Sequence, residues 1–588
     1  MGGLDRAFRA GAVAESLHNW WRQGRGARGV AAAVPGAHAV TAADRAAAER
    51  LLGRAAPGPG AGMSLSVYET ARLVRLAPWV WGHHARIDYL VALQRRDGTW
   101  GGPDLYALVP TLSATEALLH LACARDRSPV RAEHRTEAAD LLTAAADRGL
   151  AASRRLLDRA CRPWPRTVGA DLLVPYLVDE INRTLLRCEP PAARGSVPRP
   201  LGRHAVLRAP LAGRAAQGSA PSSVPPGGSP LPAGHLWEGS AGPAREAAAG
   251  SPDGWTIGAS PAATAAWLAR RPAGGRDEVC VGALDRLARR HGGPVPGLGP
   301  AIAGEQVELA GTLVRAGLGA AVPPRLREQL RRQVGGTTGD YGAVSTALYT
   351  LAELGELGGR CPAEVLRPFE AATRFQRPPG DPVWSPVANA HMLEAFGVHA
   401  AARPAHLRRH SPAISAITRW LCGRQQLSGR WEDPRHASPY YATSHAAAAL
   451  SRFGRRGASS AVARAVWWVR GTQRPDGSWG VWRGTAEETA YALQTLLAAP
   501  HRVPQDLLAR GAAALERLVA TGTGHPPLWH GTDLYAPAAV IDATILAVTC
   551  RLRGHVALTG RAHSLSLSLT RARVEECDSQ GAKGLVGR

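Results

Sequence analysis

A short phrase, Gln-x-x-x-Gly-x-Trp, recurs along the chain and limits its fold more than any other feature of the sequence. Intact copies occupy residues 94–100, 425–431 and 473–479, and a stretched copy occupies residues 376–384. The copies that begin at 376, 425 and 473 follow one another at intervals of 49 and 48 residues. Because this spacing suits one pair of helices per repeat, the repeat predicts a helical array.

Each copy follows an apolar helical stretch and precedes a loop and a second apolar helix. The second helices are rich in small residues and carry scattered polar and aromatic side chains, which is typical of an inner ring that borders a cavity. The fold class is therefore all-α, built as α/α (toroid) barrels. Within the phrase, Gly permits a tight turn, Trp covers the helix junction and Gln bonds backbone groups freed at helix ends. We interpret the repeated tryptophans as structural and not catalytic.

The length of 588 residues exceeds what one compact core usually holds. We predict an N-terminal extension with one helix (1–60), a first barrel domain (61–295) and a second barrel domain (296–556), followed by a C-terminal tail (557–588). A Pro/Gly-rich insertion at about 190–256 interrupts the first barrel domain.

The formal net charge of +23 raises the question of a nucleic-acid partner. The arginines are scattered along the whole chain, however, and Lys583 is the one lysine. A binding stripe concentrates on one face, so we favour a compositional bias over a polyanion surface and expect no nucleic acid. No run of about 20 uninterrupted apolar residues occurs, so we expect no transmembrane segment and a cytoplasmic protein.

Several further phrases accompany the repeats, in the order YALVPTLSATEAL, SPAATAAWL, ASPYYATSHA, GTAEETAYAL and LWHGTDLYAP. Together they resemble the bacterial class II diterpene cyclases, the copalyl-diphosphate-synthase-like relatives of squalene-hopene cyclase, over roughly residues 60–555. The resemblance implies a γβ di-domain terpene cyclase architecture with a cavity at the interface of its two barrels. It also implies geranylgeranyl diphosphate as substrate, Mg²⁺ as cofactor and cyclisation by protonation of the terminal alkene. For the oligomeric state, the sequence leaves a homodimer as an alternative.

The chain departs from this family at the acid. The family pattern, which begins D-x-D-D, aligns without gaps on residues 340–355, DYGAVSTALYTLAELG. Asp340 keeps the first position, but Gly342 stands at the catalytic position and Ala343 at the last. Glycine cannot donate a proton. Asp340 is the nearest carboxyl group in the sequence and is our candidate acid, with a helix N-cap without a chemical task as the alternative.

A second departure concerns the diphosphate. The resemblance predicts a lysine at the position of Thr532. Arg483 is our candidate for the missing cation, and a surface arginine without function is the alternative. For Mg²⁺, Glu69, Glu487 and Glu488 are present, but their spacing forms no metal motif, so the metal ligands stay unknown.

Cavity residues are expected in the loops and first turns of the inner helices. The candidates are Tyr341, Gly342, Trp384, Asn389, His391, Tyr440, Tyr441, Trp482 and Tyr535. Each aromatic side chain taken singly is as compatible with core packing as with a cavity wall, whereas the set, repeated in successive hairpins, favours a wall. His391 alone is more typical of a structural histidine than of a base.

The sequence thus predicts a class II-type diterpene cyclase that acts on a polyprenyl diphosphate with a noncanonical acid. One alternative keeps the fold and changes the chemistry, to ionisation or hydrolysis of the prenyl diphosphate without alkene protonation. Another is a catalytically inactive homologue that serves as a binding or partner subunit.

Overall fold

The computed structural model describes residues 40–54, 64–126, 137–159, 167, 169–188, 260–270, 277–297, 301–335, 341–357, 361–366, 385–402, 404–454, 457–498, 503–522 and 524–559. The helix expected near the N-terminus, the Pro/Gly-rich insertion and the stretched copy of the repeat lie outside these ranges.

The described residues form helices throughout, with one short hairpin. The helices of the first half are α1 (Ala42–Arg54), α2 (Val67–Leu76), α3 (His83–Leu93), α4 (Leu108–Asp126), α5 (Glu137–Arg159), α6 (Ala170–Cys188), α7 (Pro261–Ala269) and α8 (Glu278–Arg290). Those of the second half are α9 (Ala301–Arg315), α10 (Pro324–Gly335), α11 (Tyr341–Glu353), α12 (Pro362–Leu366), α13 (Pro386–Ala402), α14 (Pro404–Arg424), α15 (Pro439–Phe453), α16 (Ser459–Gly471), α17 (Ala486–Leu497), α18 (Gln505–Ala520) and α19 (Ala538–Thr559). Short 3₁₀ turns occur at Asp104–Ala107 and Gly319–Ala321, and strands β1 (Trp529–His530) and β2 (Leu534–Tyr535) pair antiparallel.

The second half closes into a ring. Helices α9, α11, α13, α15, α17 and α19 each pack against the next, and α19 packs back against α9. Outside this inner ring, α10 covers α11, α14 covers α13, α16 lies against α15 and α17, α18 covers α17, and α1 covers α19. The inner helices are almost entirely buried, as their small residues and apolar character predict.

Helix α1 was missed by the sequence analysis, which placed residues 1–60 outside both barrels. Its Ala47, Ala48 and Leu51 belong to the apolar core of the second barrel. Asp44 also accepts a hydrogen bond from the guanidinium of Arg553 on α19. The segment reads as Ala-rich and weakly amphipathic, so its helix is stabilised by packing against a distant part of the chain.

The first barrel has the same two layers. Within its described part, α7, α2, α4 and α6 pack in succession, and α3, α5 and α8 lie outside them. The prediction of an all-α fold with two α/α barrels is confirmed. One segment, Asp104–Ala124, is long and apolar enough to span a membrane, but 83% of it is buried inside the protein, as in a core helix.

Each repeated tryptophan joins the two helices of its hairpin by hydrogen bonds, an arrangement that we call the clasp. Trp100, Trp431 and Trp479 are fully buried. The indole Nε1 of Trp479 donates to the carbonyl of Val469, at the end of the preceding outer helix (2.7 Å), and its backbone N–H donates to Thr489 Oγ1 on the following inner helix (3.1 Å). The other two tryptophans make the same pair of bonds to equivalent residues. Each indole therefore joins an outer helix to its inner helix.

The glutamine and glycine of the phrase complete the clasp. Gln473 Nε2 donates to the carbonyls of Gly477 (3.0 Å) and of Leu507 in the next outer helix (3.3 Å). Gly477 has a φ of +85°, and Gly98 and Gly429 are also in the left-handed region that side chains disfavour. The structural role predicted for the phrase is confirmed, and Gln links each repeat to the next.

A buried carboxylate joins the two barrels. Asp533 lies in the turn between β1 and β2 of the second barrel. It accepts hydrogen bonds from Ser66 Oγ (2.8 Å) and from the backbone N–H groups of Val67 (2.8 Å) and Tyr68 (3.2 Å) at the start of α2 in the first barrel. A carboxylate at a helix N-terminus satisfies free N–H groups and complements the helix dipole. The hairpin is thereby anchored to the first barrel.

We expect Asp533→Ala to lower the free energy of unfolding by about 2–3 kcal/mol, because it leaves three buried donors without an acceptor. Thermal unfolding of the purified variants measures this loss. Thr532→Ala is the matched control: Thr532 is similarly buried, and its side chain makes no hydrogen bond to another described residue. Equal changes in the two variants would contradict the role of the carboxylate.

Candidate functional site

Gly342 lies in the first turn of α11, and the space beside it is filled by an arginine. A Cβ atom built on Gly342 would overlap the guanidinium of Arg435, which approaches more closely than two such atoms ever do. Glycine is therefore required here for the observed position of the guanidinium. Where the family places its acid, this protein places a permanent cation.

The loop that carries Arg435 is tied down on both sides. The backbone N–H of Arg435 donates to Asp433 Oδ1 (3.0 Å), and its carbonyl accepts from the N–H of His530 in the hairpin (2.8 Å). Asp433 in turn caps α13, where it accepts bonds from Ser385 Oγ (2.7 Å) and from the N–H of Val387 (3.1 Å). Contacts with α13 and with the hairpin thus hold the backbone of Arg435 in place.

A buried polar network begins one turn after Gly342. Thr346 Oγ1 lies 3.0 Å from the carbonyl oxygen of Gly342, 3.4 Å from Glu308 Oε2 and 2.7 Å from His391 Nδ1. His391 Nε2 lies 3.0 Å from Nδ1 of His445. These side chains come from α9, α11, α13 and α15, four neighbouring helices of the inner ring. All four are buried.

Burial governs the charge of this network. It raises the pKa of Glu308, although the charges of Arg315 and Arg435 and the bond with Thr346 act in the opposite direction. Burial also lowers the pKa values of His391 and His445 well below the ordinary range. Burial thus favours the uncharged form of the carboxyl group and of both imidazoles.

Aromatic rings surround this network on the side of the hairpin. The ring of Tyr441 lies 4.8 Å from those of His436 and His445, 5.0 Å from Trp529 and 5.4 Å from Tyr491. Further rings extend the cluster at both ends, Tyr535 beside Trp529 (6.4 Å) and Tyr349 beside His391 (6.3 Å). Such faces stabilise positive charge without water.

Several buried polar atoms in this part of the barrel have no hydrogen-bond partner among the described residues, including Tyr349 OH, Tyr441 OH, Tyr491 OH, Asn389 Oδ1 and Glu487 Oε2. The other oxygen of Glu487 accepts bonds from His436 Nε2 (3.0 Å) and Trp529 Nε1 (2.8 Å). A buried polar atom without a partner costs free energy, so such a group indicates a place for a ligand or water.

Of the predicted cavity residues, the structure brings together Gly342, His391 and Tyr441, with Tyr535 at the edge of the same aromatic cluster. Asn389 is buried in the first turn of α13, where its amide donates to the carbonyl of Ser385. The structure does not bring Tyr440 to this cluster. The ring of Tyr440 packs 4.6 Å from that of Trp468 on the outer helix α16.

Trp482 and Arg483 lie in a loop that faces the first barrel. Trp482 Nε1 donates to Asp104 Oδ2 (3.0 Å), and its ring meets Tyr106 edge-on at 5.9 Å. Arg483 is exposed. Three further candidates lie outside the part that the structure describes: Asp340, Trp384 and the side chain of Tyr341.

The carboxylates considered for Mg²⁺ do not converge. Glu69 caps α7 through Ser260 and Ala262, and Glu488 bonds Thr485 and the N–H of Val481. Among the described residues, the one group with metal-like spacing is Glu308, His391 and His445, whose ligand atoms lie within 4.8 Å of one another. Two imidazoles and one carboxyl group do not fit Mg²⁺, which prefers oxygen ligands.

Sequence reasoning missed Glu308, Arg435, His445 and Trp529. A carboxyl group in the apolar run of α9 was a signal for Glu308, and the spacing of four residues from Tyr441 was one for His445. No local pattern could have found Arg435, because a distant loop carries its guanidinium to Gly342.

We expect Gly342→Ala to change the free energy of unfolding by less than about 1 kcal/mol, because the overlapping atoms are the far end of a flexible side chain that can move. Gly397→Ala is the control within an inner helix, since its new Cβ would overlap the ring of Phe453. Overpacking of that kind costs about 1–3 kcal/mol. Thermal unfolding compares the two variants, and an equal loss would mean that the guanidinium is rigidly held.

Comparison with known proteins agrees with this geometry. The chain is 37% identical over 524 residues to the ent-copalyl diphosphate synthase of a Streptomyces species, covering 87% of this chain and 97% of that protein. It is 38% identical to the labda-7,13-dienyl diphosphate synthase of Streptomyces clavuligerus, over 86% of this chain and 92% of that protein. No family model matches.

Among solved structures, the ent-copalyl diphosphate synthase from Streptomyces platensis is similar with a TM-score of 0.72 and 35% identity, covering 87% of this chain and 99% of that one. Both the sequence and the arrangement of the helices are thus shared over nearly the whole length of these relatives. The chain therefore belongs to the class II diterpene cyclases.

Proposed function

We propose that this protein cyclises geranylgeranyl diphosphate to a bicyclic diphosphate in the space between the two barrels. The reaction begins with a proton transferred to the terminal alkene, from a donor other than residue 342. The observation that carries the proposal is the buried aromatic cluster around Tyr441, which is near enough to Glu308 for that carboxyl group to raise the pKa of Tyr441.

The chemistry of carbocations supports this assignment. A cation formed in water is captured at once, so a cyclase must exclude water and offer ring faces in its place. The cluster of Tyr441, Tyr491, Trp529 and Tyr535 offers such faces, and all four rings sit within or beside the inner ring of helices. The relatives described above are named as synthases of ent-copalyl diphosphate and labda-7,13-dienyl diphosphate, which supports a product that keeps its diphosphate.

For the diphosphate, we propose Arg483 as one contact and Mg²⁺ as its counterion. Arg483 is exposed in the loop between the barrels, next to Trp482, whose indole reaches Asp104 of the first barrel. The described residues offer no oxygen cage for Mg²⁺, so the ion would be held mainly by the diphosphate itself.

A second function is favoured by one observation. The guanidinium of Arg435 beside Gly342 repels a carbocation and attracts an anion. This arrangement favours an altered reaction of the prenyl diphosphate, ionisation or hydrolysis, without alkene protonation. An inactive homologue would bind the substrate and release it unchanged.

Incubation with geranylgeranyl diphosphate and Mg²⁺ in D₂O separates these functions. We expect a bicyclic product that still carries its diphosphate and contains one deuterium at the carbon that was protonated. Mass spectrometry before and after phosphatase treatment measures both features, and a parallel reaction with EDTA measures the need for Mg²⁺. A product without diphosphate before phosphatase treatment would support the altered reaction, and binding without turnover would support an inactive homologue.

We expect Arg483→Ala to raise KM for geranylgeranyl diphosphate about tenfold with a smaller effect on kcat, because one charge-assisted contact to the diphosphate is worth about 1.5 kcal/mol. Steady-state kinetics measure the change. Arg470→Ala, on an exposed arginine at the end of the outer helix α16, is the matched control. An unchanged KM in Arg483→Ala would exclude this contact.

A further inference from the structure

We infer that Glu308 is the proton donor of this protein and that Arg435 is the positioning residue that strengthens it. The inference rests on the proposed function. It moves the acid from α11, where the family carries it, to the neighbouring inner helix α9.

Glu308 is close to the vacated position. It reaches Gly342 through one hydroxyl group, since Thr346 Oγ1 lies 3.4 Å from Glu308 Oε2 and 3.0 Å from the carbonyl oxygen of Gly342. The guanidinium that fills the missing side chain at Gly342 is near enough for its charge to act on the carboxyl group. The carboxyl group of Glu308 and the guanidinium of Arg435 therefore both lie near Gly342.

The hydrogen-bond contacts around Thr346 are compatible with a protonated Glu308. The hydroxyl of Thr346 has one hydrogen, and an ionised Glu308 would compete for it with the carbonyl of Gly342. If Glu308 donates to Thr346, then Thr346 donates to Gly342 and accepts a second bond from His391 Nδ1–H. His391 Nε2 then accepts from His445 Nδ1–H, and every close contact has one donor and one acceptor.

An acid that protonates an alkene must meet two opposing demands. It must hold its proton at rest, and its conjugate base must be stabilised once the proton leaves. Burial meets the first demand by raising the pKa of Glu308, and the nearby guanidinium meets the second by opposing that rise.

The step balances without a further reactant. The O–H bond of Glu308 breaks as its proton bonds to one carbon of the terminal alkene, and the alkene π electrons supply the new C–H bond. The next double bond closes on the resulting tertiary cation, and a second closure follows. The final cation loses one proton, so the overall reaction is an isomerisation, and one proton from solvent restores Glu308.

Glu305 provides the internal comparison. It lies one turn before Glu308 on α9, and burial raises its pKa to about 8. It is less buried, however, and makes no hydrogen bond to the network of Thr346. A raised pKa is common to both carboxyl groups and therefore does not distinguish them. The contact through Thr346 to Gly342 does, because it involves Glu308 and not Glu305.

The first experiment compares Glu308→Gln, Glu305→Gln and Asp340→Ala with the wild-type protein, by product formation from geranylgeranyl diphosphate and by thermal unfolding. Glutamine keeps the shape of Glu308 but has no acid proton. We expect kcat to fall at least about 100-fold in Glu308→Gln with KM and thermal stability nearly unchanged, and to stay within about fivefold in the other two variants.

The outcomes distinguish this inference from the proposed function. If the wild-type protein forms no bicyclic diphosphate, the proposed function fails and the inference falls with it. If the wild-type protein forms it and Glu308→Gln does so at a similar rate, the inference alone is overturned. A large loss in Asp340→Ala with full activity in Glu308→Gln would assign the proton to Asp340 instead.

The second experiment measures the pH dependence of kcat in Arg435→Leu and Arg435→Lys. The charged groups that face Glu308 are Arg315 on its own helix and Asp433 and Arg435 from the loop before α15. Removing the guanidinium raises the pKa of Glu308, so the loss of activity at high pH should move to higher pH while the maximum kcat falls.

Arg435→Lys keeps the charge and should keep the wild-type profile. A purely structural role for Arg435 would lower kcat in Arg435→Leu without moving the high-pH limb, and that result would overturn its assignment as a positioning residue.

Discussion

The bond from each buried indole to the end of an outer helix is the interaction on which the rest of this structure depends. Trp100, Trp431 and Trp479 make it identically in three hairpins, and the glutamine of each phrase then links one hairpin to the next. The clasp sets where each inner helix begins. As a result the first turns of the inner helices, with their loops, gather at the end of the barrel that meets the hairpin β1–β2.

At that end, buried carboxylates serve two different purposes. Asp433 and Asp533 are fully engaged with helix N-termini, and they hold the loop of Arg435 and the joint between the barrels. Glu308 is buried as well, but its one hydrogen-bond contact is with the hydroxyl of Thr346, and the imidazoles of His391 and His445 and the guanidinium groups of Arg315 and Arg435 lie near it. Asp433 and Asp533 stabilise the fold as hydrogen-bond acceptors at helix N-termini, whereas Glu308 is the group that we propose as the proton donor.

Glycine at residue 342 removes the family's acid and also leaves room for a side chain from another part of the chain. Without a Cβ there, the guanidinium of Arg435 enters the site and inverts its charge. Sequence analysis found the loss and predicted His391 and Tyr441 as cavity residues, and the structure places both in the network and the aromatic cluster beside it. It could not find the replacement, because a glycine reveals what has been removed and nothing about which side chain from elsewhere fills the volume.

By itself the sequence determined the all-α class, the two barrels and the structural role of the repeat, because glycine, tryptophan and glutamine act within one hairpin and its neighbour. Local spacing is enough to reveal such contacts. The tertiary structure alone decided that α1 completes the second barrel, and that Glu308 and Arg435 meet at Gly342. Those contacts join residues far apart in the chain, and only the closure of the inner ring brings them within reach.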